Sequence, residues 1–374
     1  MSEITAITMP KWGLTMTEGK VLGWLKGEGE EYGAGDELLE IETSKITNVM
    51  EASEPGRLRR IIARDGATLP IGGLLAVAAP ESVLDTDIDA FVAGFAAPEP
   101  AAGAAEAETM APHDIDADGK RLRVLDMGGG EAVPVALIHG FGADLNTWMF
   151  NQPVLAETRR AIALDLPGHG GSTKALDEAV DAASFAADLD RALAALAIDR
   201  LHLVGHSMGG AIALAFAGWQ PDRVASLSLI APAQLGAEIN ADFINGFVRA
   251  GRRREMQDVL ALLVHDPALV SRQMVEDVLR YKRLDGVQAA LAALSAAWFP
   301  NGIQRADWAE LVGSIKVPTQ MIWGREDRII PVAQGEALAG RVPVHIIDGA
   351  GHLPHMEKAG EVNRLIAGFV AARA

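Results

Sequence analysis

The chain contains the stretch Leu201-His202-Leu203-Val204-Gly205-His206-Ser207-Met208-Gly209-Gly210, an apolar run that leads into a serine flanked by glycines. Residues 201–204 have the pattern of a buried strand, and residues 208–219 have that of an apolar helix. The glycines permit a tight strand-to-helix turn that exposes the serine hydroxyl above a sheet. The N-terminus of the helix behind it favours developing negative charge. The stretch therefore predicts an α/β domain in which Ser207 is a nucleophile; the alternative is an ordinary Gly-Ser turn.

Strand-like and helical patterns alternate from about residue 113 to the C-terminus. Helical patterns at 184–197 and 208–219 separate the apolar runs, which is typical of an α/β domain with a mostly parallel sheet flanked by helices. A helix-rich insertion at about 234–312 interrupts the series, and we interpret it as a cap over the active site. The predicted strands are Val133–Ile138, Ala161–Asp165, Leu201–Val204, Val224–Ile230, Val317–Trp323 and Val344–Ile347.

A serine nucleophile needs a base, and the base needs a carboxylate that orients it. In hydrolase-type chains these residues follow one another in the order serine, acid, histidine. Asp327 and His352 each follow a predicted strand, in that order after Ser207. We predict these three residues as the catalytic set. The adjacent Glu326 and His355 are the alternatives for the acid and the base.

The loop His139-Gly140-Phe141-Gly142 directly follows the predicted strand 133–138. Such a loop can supply one backbone amide to an oxyanion hole, here that of Phe141, and the residue after the nucleophile supplies the other, here Met208. Two donors of this kind stabilise the oxyanion of a tetrahedral intermediate. The side chains of His139 and His169 are interpreted as structural.

These motifs together resemble the α/β-hydrolase superfamily over residues 115–374. The pieces that carry the resemblance are His139–Gly142, Asp165–Gly170, Gly205–Gly210 and the loops that contain Asp327 and His352. The resemblance implies the fold and a catalytic triad. It leaves the substrate open, because this fold supports many reactions.

Residues 1–79 contain short strand-like runs punctuated by glycines, and they read as two similar halves that meet near Lys45. This predicts a small all-β sandwich with Lys45 at a hairpin tip. The segment resembles lipoyl domains, through Glu40-x-Glu42-Thr43, Gly35-Asp36 and Glu54-Pro55-Gly56 among other matches. The resemblance implies that a lipoate ligase or transferase attaches lipoate to Lys45. The alternative is a surface lysine on a small β-domain.

The segment 80–112 joins the two predicted domains. Apolar residues at helical spacing indicate a short amphipathic helix at 81–96, either a docking helix or one that packs against its own domain. Residues 97–112 are rich in Ala, Pro and Glu and read as a linker. The spaced apolar residues of the helix are Leu84, Ile88, Phe91, Val92 and Phe95.

The composition of the 374-residue chain excludes several classes of function. A net charge of −17 argues against nucleic-acid binding, which needs a basic surface. The absence of cysteine excludes disulfides and cysteine ligands, and no metal site is predicted. The chain has no run of about 18 or more apolar residues, so no membrane span is expected. The N-terminus lacks the pattern of a secretory signal, so a cytoplasmic location is expected.

Four arginines, at 249 and 252–254, stand out in this acidic chain. They could bind phosphate groups of coenzyme A or an acidic partner subunit. The alternative is a solvated helix face in the cap. The sequence does not separate these interpretations.

The whole architecture resembles the dihydrolipoyl acetyltransferase components of acetoin dehydrogenase complexes. This implies transfer of an acetyl group between the dihydrolipoyl arm and coenzyme A, with acetyl-CoA as product. It also implies thiamine-diphosphate-dependent acetoin-cleaving subunits and a dihydrolipoamide dehydrogenase as partners. Two alternatives stay open: a hydrolase of ester, thioester or carbon–carbon bonds tethered by its lipoyl domain, and a non-catalytic carrier and scaffold.

Overall fold

The structure, a computed structural model, describes residues 4–10, 16, 18–43, 47–52, 54–95, 111–304 and 308–373. The chain divides between Thr109 and Met110 into two units. This division lies inside the segment 80–112, which the sequence analysis places between the two predicted domains. The exact domain boundaries remain a prediction. The predicted linker 97–112 falls almost wholly outside the described residues.

The first unit contains two four-stranded antiparallel sheets, as expected for a small all-β sandwich. One sheet has the strand order β1-β8-β6-β3, and the other has the order β5-β4-β2-β7. Each strand of the second sheet is four places along the chain from its counterpart in the first, which is the arrangement expected for two similar halves. The strands are β1 (Thr5–Thr8), β2 (Glu18–Trp24), β3 (Glu31–Tyr32), β4 (Glu37–Glu42), β5 (Thr47–Glu51), β6 (Gly56–Ile61), β7 (Thr68–Pro70) and β8 (Leu74–Ala78).

Helix α1 (Asp85–Gly94) packs against this first unit. Ile88 is fully buried and contacts Leu74 and Val77 of β8. On the solvent side, Arg59 binds the carboxylate of Asp85 at 3.0 Å. The described contacts therefore match the interpretation in which the helix packs on its own domain, and not the one in which it is free to dock elsewhere.

The second unit is built on an eight-stranded sheet of order β16-β15-β14-β13-β11-β12-β10-β9. Neighbouring strands from β16 to β12 are parallel, as predicted, and the last two strands, β10 and the edge strand β9, are antiparallel to their neighbours. Burial on both faces explains why the central strands are continuous apolar runs. The strands are β9 (His113–Ala117), β10 (Lys120–Met127), β11 (Val135–Ile138), β12 (Ala161–Leu164), β13 (Leu201–His206), β14 (Val224–Ile230), β15 (Thr319–Gly324) and β16 (Val344–Ile347).

Eleven α-helices of the second unit lie in the described residues, and five of them occupy the insertion between β14 and β15. We call residues 234–312 the cap, and its last helix extends two residues beyond. The helices are α2 (Gln152–Ala156), α3 (Ala182–Ala195), α4 (Met208–Trp219), α5 (Ala241–Arg249), α6 (Arg253–Leu260), α7 (Arg272–Lys282), α8 (Val287–Trp298), α9 (Ala309–Ser314), α10 (Ala333–Glu336), α11 (Pro354–Glu357) and α12 (Ala359–Ala371). Within the described ranges, none of the helices has the length and apolar character needed to cross a membrane.

Candidate active site

Ser207 lies at the turn between strand β13 and helix α4, as the sequence predicts. Its φ of +52° is in the left-handed region, which is rare for a residue with a side chain and is a strained conformation. The flanking glycines are required by close packing. A Cβ on Gly209 would lie 2.3 Å from the carbonyl oxygen of Ile138, and one on Gly205 would lie 2.4 Å from that of Gly209. The turn therefore has the geometry of a nucleophile elbow.

Asp327 and His352 are in contact at the carboxyl ends of strands β15 and β16. His352 Nδ1 donates to Asp327 Oδ2 at 2.8 Å, and both side chains are buried. The other oxygen, Asp327 Oδ1, accepts the amides of Ile329 at 2.8 Å and Ile330 at 3.0 Å. The carboxylate is thereby fixed on both sides. Because Nδ1 is occupied, Nε2 is the nitrogen of His352 that is left to act as a base.

The two alternatives for the acid and the base have other partners. Glu326 Oε2 accepts the amide of Ala350 at 3.1 Å. His355 Nε2 lies 3.1 Å from the hydroxyl of Thr147, and its ring packs 4.7 Å from that of Trp148. Burial lowers the pKa of His355 to about 3, so this imidazole is neutral. Both side chains hold loops in place, and neither is paired as Asp327 and His352 are.

His206 connects the nucleophile elbow to the loop of His352. Its Nε2 donates to the carbonyl oxygen of His352 at 2.8 Å, and the two rings lie 4.7 Å apart. The ring is buried, and burial holds its pKa well below the usual range. The sequence analysis did not single out His206. The only available signal was its place inside the serine motif, which does not reveal a partner 146 residues away.

The loop that follows strand β11 passes directly beside Ser207. A Cβ on Gly140 would lie 3.0 Å from the Cβ of Ser207. Among the described residues, the backbone amides of Phe141 and Met208 donate to no protein acceptor. Both predicted oxyanion-hole donors are therefore available to a substrate oxygen.

His139 and His169 support this loop through their rings. His139 Nδ1 donates to the carbonyl oxygen of Gly140 at 2.8 Å, and its Nε2 accepts the amide of Leu166 at 3.0 Å. Burial lowers the pKa of His139 to about 4. The two rings meet edge to face with centroids 4.9 Å apart. His139 thus has both nitrogens occupied in holding backbone, as a structural residue would.

Asp165 is a buried carboxylate near the same loop that the sequence analysis did not assign to the site. Its two oxygens accept the amides of Leu145 at 2.7 Å and Gly171 at 2.6 Å. Burial raises the pKa of Asp165 to about 7. These bonds fix the start of the short helix after the oxyanion loop and the loop that contains His169.

The cap closes one side of the site with aromatic side chains. The ring of Phe247 on α5 lies 5.8 Å from that of Phe141, and Phe299 lies 5.9 Å from the same ring. Phe247 also packs so close to Gly142 that a Cβ there would lie 2.4 Å from its ring. The described residues therefore form an apolar wall next to the predicted oxyanion hole.

The cap also holds the loops of the acid and the base. The amide of His352 donates to the carbonyl oxygen of Leu263 at 2.8 Å. Arg328, next to Asp327, donates to the carbonyl oxygens of Ala261 and Val264, each at 2.5 Å. The cap segment 261–264 is thus bonded to both loops, which couples its position to that of Asp327 and His352.

Glu357 holds the loop of His352 to the cap through hydrogen bonds. Its carboxylate accepts the amides of Gly351 at 2.8 Å and His265 at 2.6 Å. Burial raises the pKa of Glu357. No sequence motif marked this residue, because its role depends on a contact between the C-terminal loop and the cap.

The predicted attachment residue Lys45 lies outside the described residues, together with Ser44 and Ile46. The strands on either side are described: β4 and β5 are antiparallel, and Glu42 pairs with Thr47. Residues 43–46 therefore form the connection between these strands. Within the described ranges, no group of three or more His, Asp or Glu side chains could hold a metal ion.

Comparison with known proteins supports both halves of the chain. Residues 133–359 match the family described as alpha/beta hydrolase fold, and residues 5–77 match that described as biotin-requiring enzyme. A dihydrolipoyllysine-residue acetyltransferase component of the acetoin cleaving system from Pseudomonas putida is 46% identical, with 99% of both chains covered. The counterpart from Cupriavidus necator is 43% identical over 97% of this chain and 96% of its own.

Solved structures resemble the second unit. A meta-cleavage product hydrolase from Pseudomonas fluorescens IP01 superposes with a TM-score of 0.64 at 25% identity. The match covers 71% of this chain and all of that chain. A carboxylesterase from Bacillus subtilis, at 21% identity and a TM-score of 0.60, shows the same fold.

Proposed function

Because this chain belongs to the dihydrolipoyllysine-residue acetyltransferase components of acetoin cleaving systems, we propose that its Ser207 carries an acetyl group from a dihydrolipoyl thioester to coenzyme A. The observation that carries this proposal is the hydrogen bond of 2.8 Å between His352 and Asp327. The carbonyl oxygen of His352 is bonded to His206, the residue before the strained Ser207. A nucleophile, a base and an orienting carboxylate are the parts that acyl transfer through a serine requires.

In the first half of the reaction, Ser207 Oγ attacks the carbonyl carbon of the thioester while His352 Nε2 takes the hydroxyl proton. Asp327 stabilises the imidazolium that forms, because its carboxylate is already bonded to Nδ1. The carbon–sulfur bond then breaks, and His352 returns the proton to the departing thiol. An acetyl-serine remains on Ser207.

In the second half, His352 takes the proton from the thiol of coenzyme A, and the sulfur attacks the acetyl-serine. The carbon–oxygen bond to Ser207 breaks, and the proton passes from His352 to Oγ. Acetyl-CoA leaves, and the enzyme regains its first state. In both halves, the amides of Phe141 and Met208 are suited to hold the negative oxygen of the tetrahedral intermediate.

Transfer to a thiol requires that water does not reach the acetyl-serine first. The apolar wall of Phe141, Phe247 and Phe299 supports this requirement, because it places aromatic rings instead of polar groups beside the predicted oxyanion hole. The cap segment 261–264 is hydrogen-bonded to the loops of Asp327 and His352. These bonds would hold the cap, and with it this wall, in a fixed position relative to the proposed catalytic pair.

Lipoate in amide linkage to Lys45 would supply a dithiol that carries the acetyl group as a thioester. The position of Lys45 in the chain between the paired strands β4 and β5 supports that attachment. The chain is a component of a multienzyme system, as its relatives are. As partners we propose thiamine-diphosphate-dependent acetoin-cleaving subunits, a dihydrolipoamide dehydrogenase and a lipoate ligase or transferase.

A hydrolase is the second candidate, because the second unit resembles the solved meta-cleavage product hydrolase. It would use the same serine, histidine and aspartate, with water as the acceptor. The two candidates therefore differ in the acceptor and not in the nucleophile.

The experiment that tests the proposal measures acetyl-CoA formed from S-acetyldihydrolipoamide and coenzyme A. Ser207→Ala should lower kcat/KM by about ten-thousandfold or more, because the nucleophile is removed. Its circular dichroism should match the unaltered protein, since the change removes one oxygen atom. Ser314→Ala, at an exposed position of α9, is the matched control and should keep full activity.

The same assay separates the two candidates. In the absence of coenzyme A, intact mass should show acetyl on the unaltered protein and none on Ser207→Ala. Ser207-dependent release of acetate that coenzyme A does not suppress would favour the hydrolase. Full transfer by Ser207→Ala would contradict both candidates.

A further inference from the structure

The cap contains a group of exposed arginines that the proposed mechanism does not use. We call Arg249, Arg252, Arg253 and Arg254 the arginine cluster; all four side chains are exposed. They place four positive charges within six residues of a chain whose net charge is −17. In so acidic a protein, such a group is the kind of surface that attracts an anion.

Most of this positive charge is not neutralised by neighbouring carboxylates. Among the described residues, Arg249 and Arg254 have no carboxylate within 4.0 Å. Arg252 is 88% exposed and reaches Glu255 only at 4.0 Å. Only Arg253 has a close partner, Glu276 at 2.7 Å. Three guanidinium groups are therefore available to a ligand.

The arginine cluster begins at the helix that forms the wall of the active site. Helix α5 carries Phe247, whose ring packs against Phe141 of the oxyanion loop. Arg249 follows two residues later, about 3 Å further along the helix axis. The cluster then continues through the first residues of α6. The cluster therefore begins on the helix that carries this wall and continues into the next helix of the cap.

The C-terminus of α5 would ordinarily repel an anion, because helix dipoles place partial negative charge there. Here the buried ammonium group of Lys282 is bonded to the carbonyl oxygens of Phe247, Val248 and Ala250. It offsets that negative end. The amides of Gly251 and Arg252 are taken by Glu255, so an anion would be held by the arginine side chains and not by the helix N-terminus.

We propose that the arginine cluster binds the phosphate groups of coenzyme A while its thiol reaches Ser207. This inference rests on the proposed function. Arginine suits the role because its planar guanidinium binds phosphate oxygens through two parallel hydrogen bonds. Coenzyme A carries its phosphates at the far end of a pantetheine arm, so their site belongs at the edge of the active site. The dihydrolipoyl donor has no phosphate, and the cluster thus distinguishes acceptor from donor.

The test compares two thiol acceptors, coenzyme A and pantetheine, in the transfer assay with S-acetyldihydrolipoamide. In the double variant Arg249→Ala with Arg254→Ala, the KM for coenzyme A should rise about tenfold or more, because charge-assisted hydrogen bonds are lost. The KM for pantetheine and kcat with either acceptor should stay within about twofold. Binding of adenosine 3′,5′-bisphosphate, measured by calorimetry without any donor, should weaken in parallel.

The control removes two exposed cap arginines that are paired with carboxylates, Arg272→Ala with Arg280→Ala. It should leave the KM for coenzyme A unchanged. An unchanged KM in the arginine-cluster variant would overturn the inference and leave the proposed function standing. Equal losses with both acceptors would also overturn it, as would loss of binding to another subunit with coenzyme A kinetics intact. Absence of transfer by the unaltered protein would overturn the proposed function itself.

Discussion

At the residue scale, Asp327 and Glu326 are adjacent carboxylates that form hydrogen bonds with different partners. Asp327 uses one oxygen to hold two amides of its own loop and the other to orient His352. Glu326 accepts the amide of Ala350 and so joins two loops. Strand order and spacing predict Asp327 as the acid, with Glu326 as the alternative. Only the direction of each side chain distinguishes them.

We expect Asp327→Asn to lower kcat about a thousandfold or more while the fold is retained. The remaining oxygen can still accept the amides of Ile329 and Ile330. The amide nitrogen that replaces Oδ2 would face Nδ1 of His352 and favour the wrong tautomer. Steady-state kinetics of the transfer reaction, with circular dichroism as the fold check, measure this effect.

The matched control is Glu326→Gln, whose amide oxygen can still accept from Ala350. Its kcat should stay within about threefold of the unaltered protein, because it lies outside the proposed catalytic set. A loss in this variant as large as that of Asp327→Asn would identify Glu326 as the acid and contradict the assignment.

At the element scale, the cap depends on a buried lysine between two helices. Lys282, at the end of α7, is bonded to the last carbonyl oxygens of α5, with Ala250 at 2.6 Å and Val248 at 3.2 Å. Burial lowers the pKa of Lys282 to about 8. The sequence places this lysine inside the helix-rich insertion at about 234–312. It does not show that the ammonium group turns inward.

We expect Lys282→Met to destabilise the second unit by about 2–3 kcal/mol, because buried carbonyl oxygens of Phe247 and Ala250 lose their partner. Val248 keeps a partner, since Gln288 also donates to its carbonyl oxygen at 2.6 Å. Thermal unfolding followed by the helical signal measures the change. Lys316→Met, at an exposed position, is the control and should shift Tm little. An equal shift in both variants would contradict the role given to Lys282.

Three elements, the strands β10 and β9 and the helix α1, show where sequence patterns were insufficient. Strand β10 pairs antiparallel with β12 through residues 124–127, and β9 adds to its other edge. Both carry charged residues among apolar ones and were not predicted as strands, because these antiparallel strands at one end of the sheet lack the continuous apolar run of the central parallel strands. Helix α1 was predicted correctly as an amphipathic helix. Its burial against β8 could not be distinguished from docking elsewhere by periodicity alone.

At the scale of the whole molecule, the second unit buries several histidines that have to be neutral. Burial lowers the pKa of His139 to about 4 and that of His355 to about 3. It also lowers the pKa values of His169 and His206 well below the usual range. In the unfolded chain, these imidazoles bind protons below a pH of about 6.5. Acid therefore favours the unfolded chain, because it binds more protons than the folded chain does.

We expect the Tm of the second unit to be lower at pH 5 than at pH 7.5 by at least about 5 °C. The stability from neutral histidines is fully present above the unfolded pKa and is lost as pH falls through it toward the folded values. Asp165, with its pKa raised to about 7, acts in the opposite sense, as does Glu357. His202, whose pKa burial also lowers to about 4, is a fifth such histidine. Five histidines outweigh two carboxyl groups, so the net effect is destabilisation by acid.

The measurement is thermal unfolding followed by far-ultraviolet circular dichroism across this pH range. Glutamine does not titrate. Replacing His355 with glutamine should therefore reduce the slope of the unfolding free energy against pH by about 1.4 kcal/mol per pH unit below a pH of about 6. A Tm that is constant or rises on acidification would show that the buried histidines do not control acid stability.

The sequence by itself determined the fold class of both units, the proposed nucleophile and the order of the predicted catalytic residues. These features depend on local patterns: apolar runs of strand length, glycines at a tight turn and the place of each polar residue after a strand. Tertiary structure alone decided which carboxylate and which histidine meet. It also decided that His206 bonds to His352 and that the cap segment 261–264 holds both loops. The physical reason is that these contacts join residues from 25 to 146 positions apart, and their geometry depends on how the whole sheet and cap pack together.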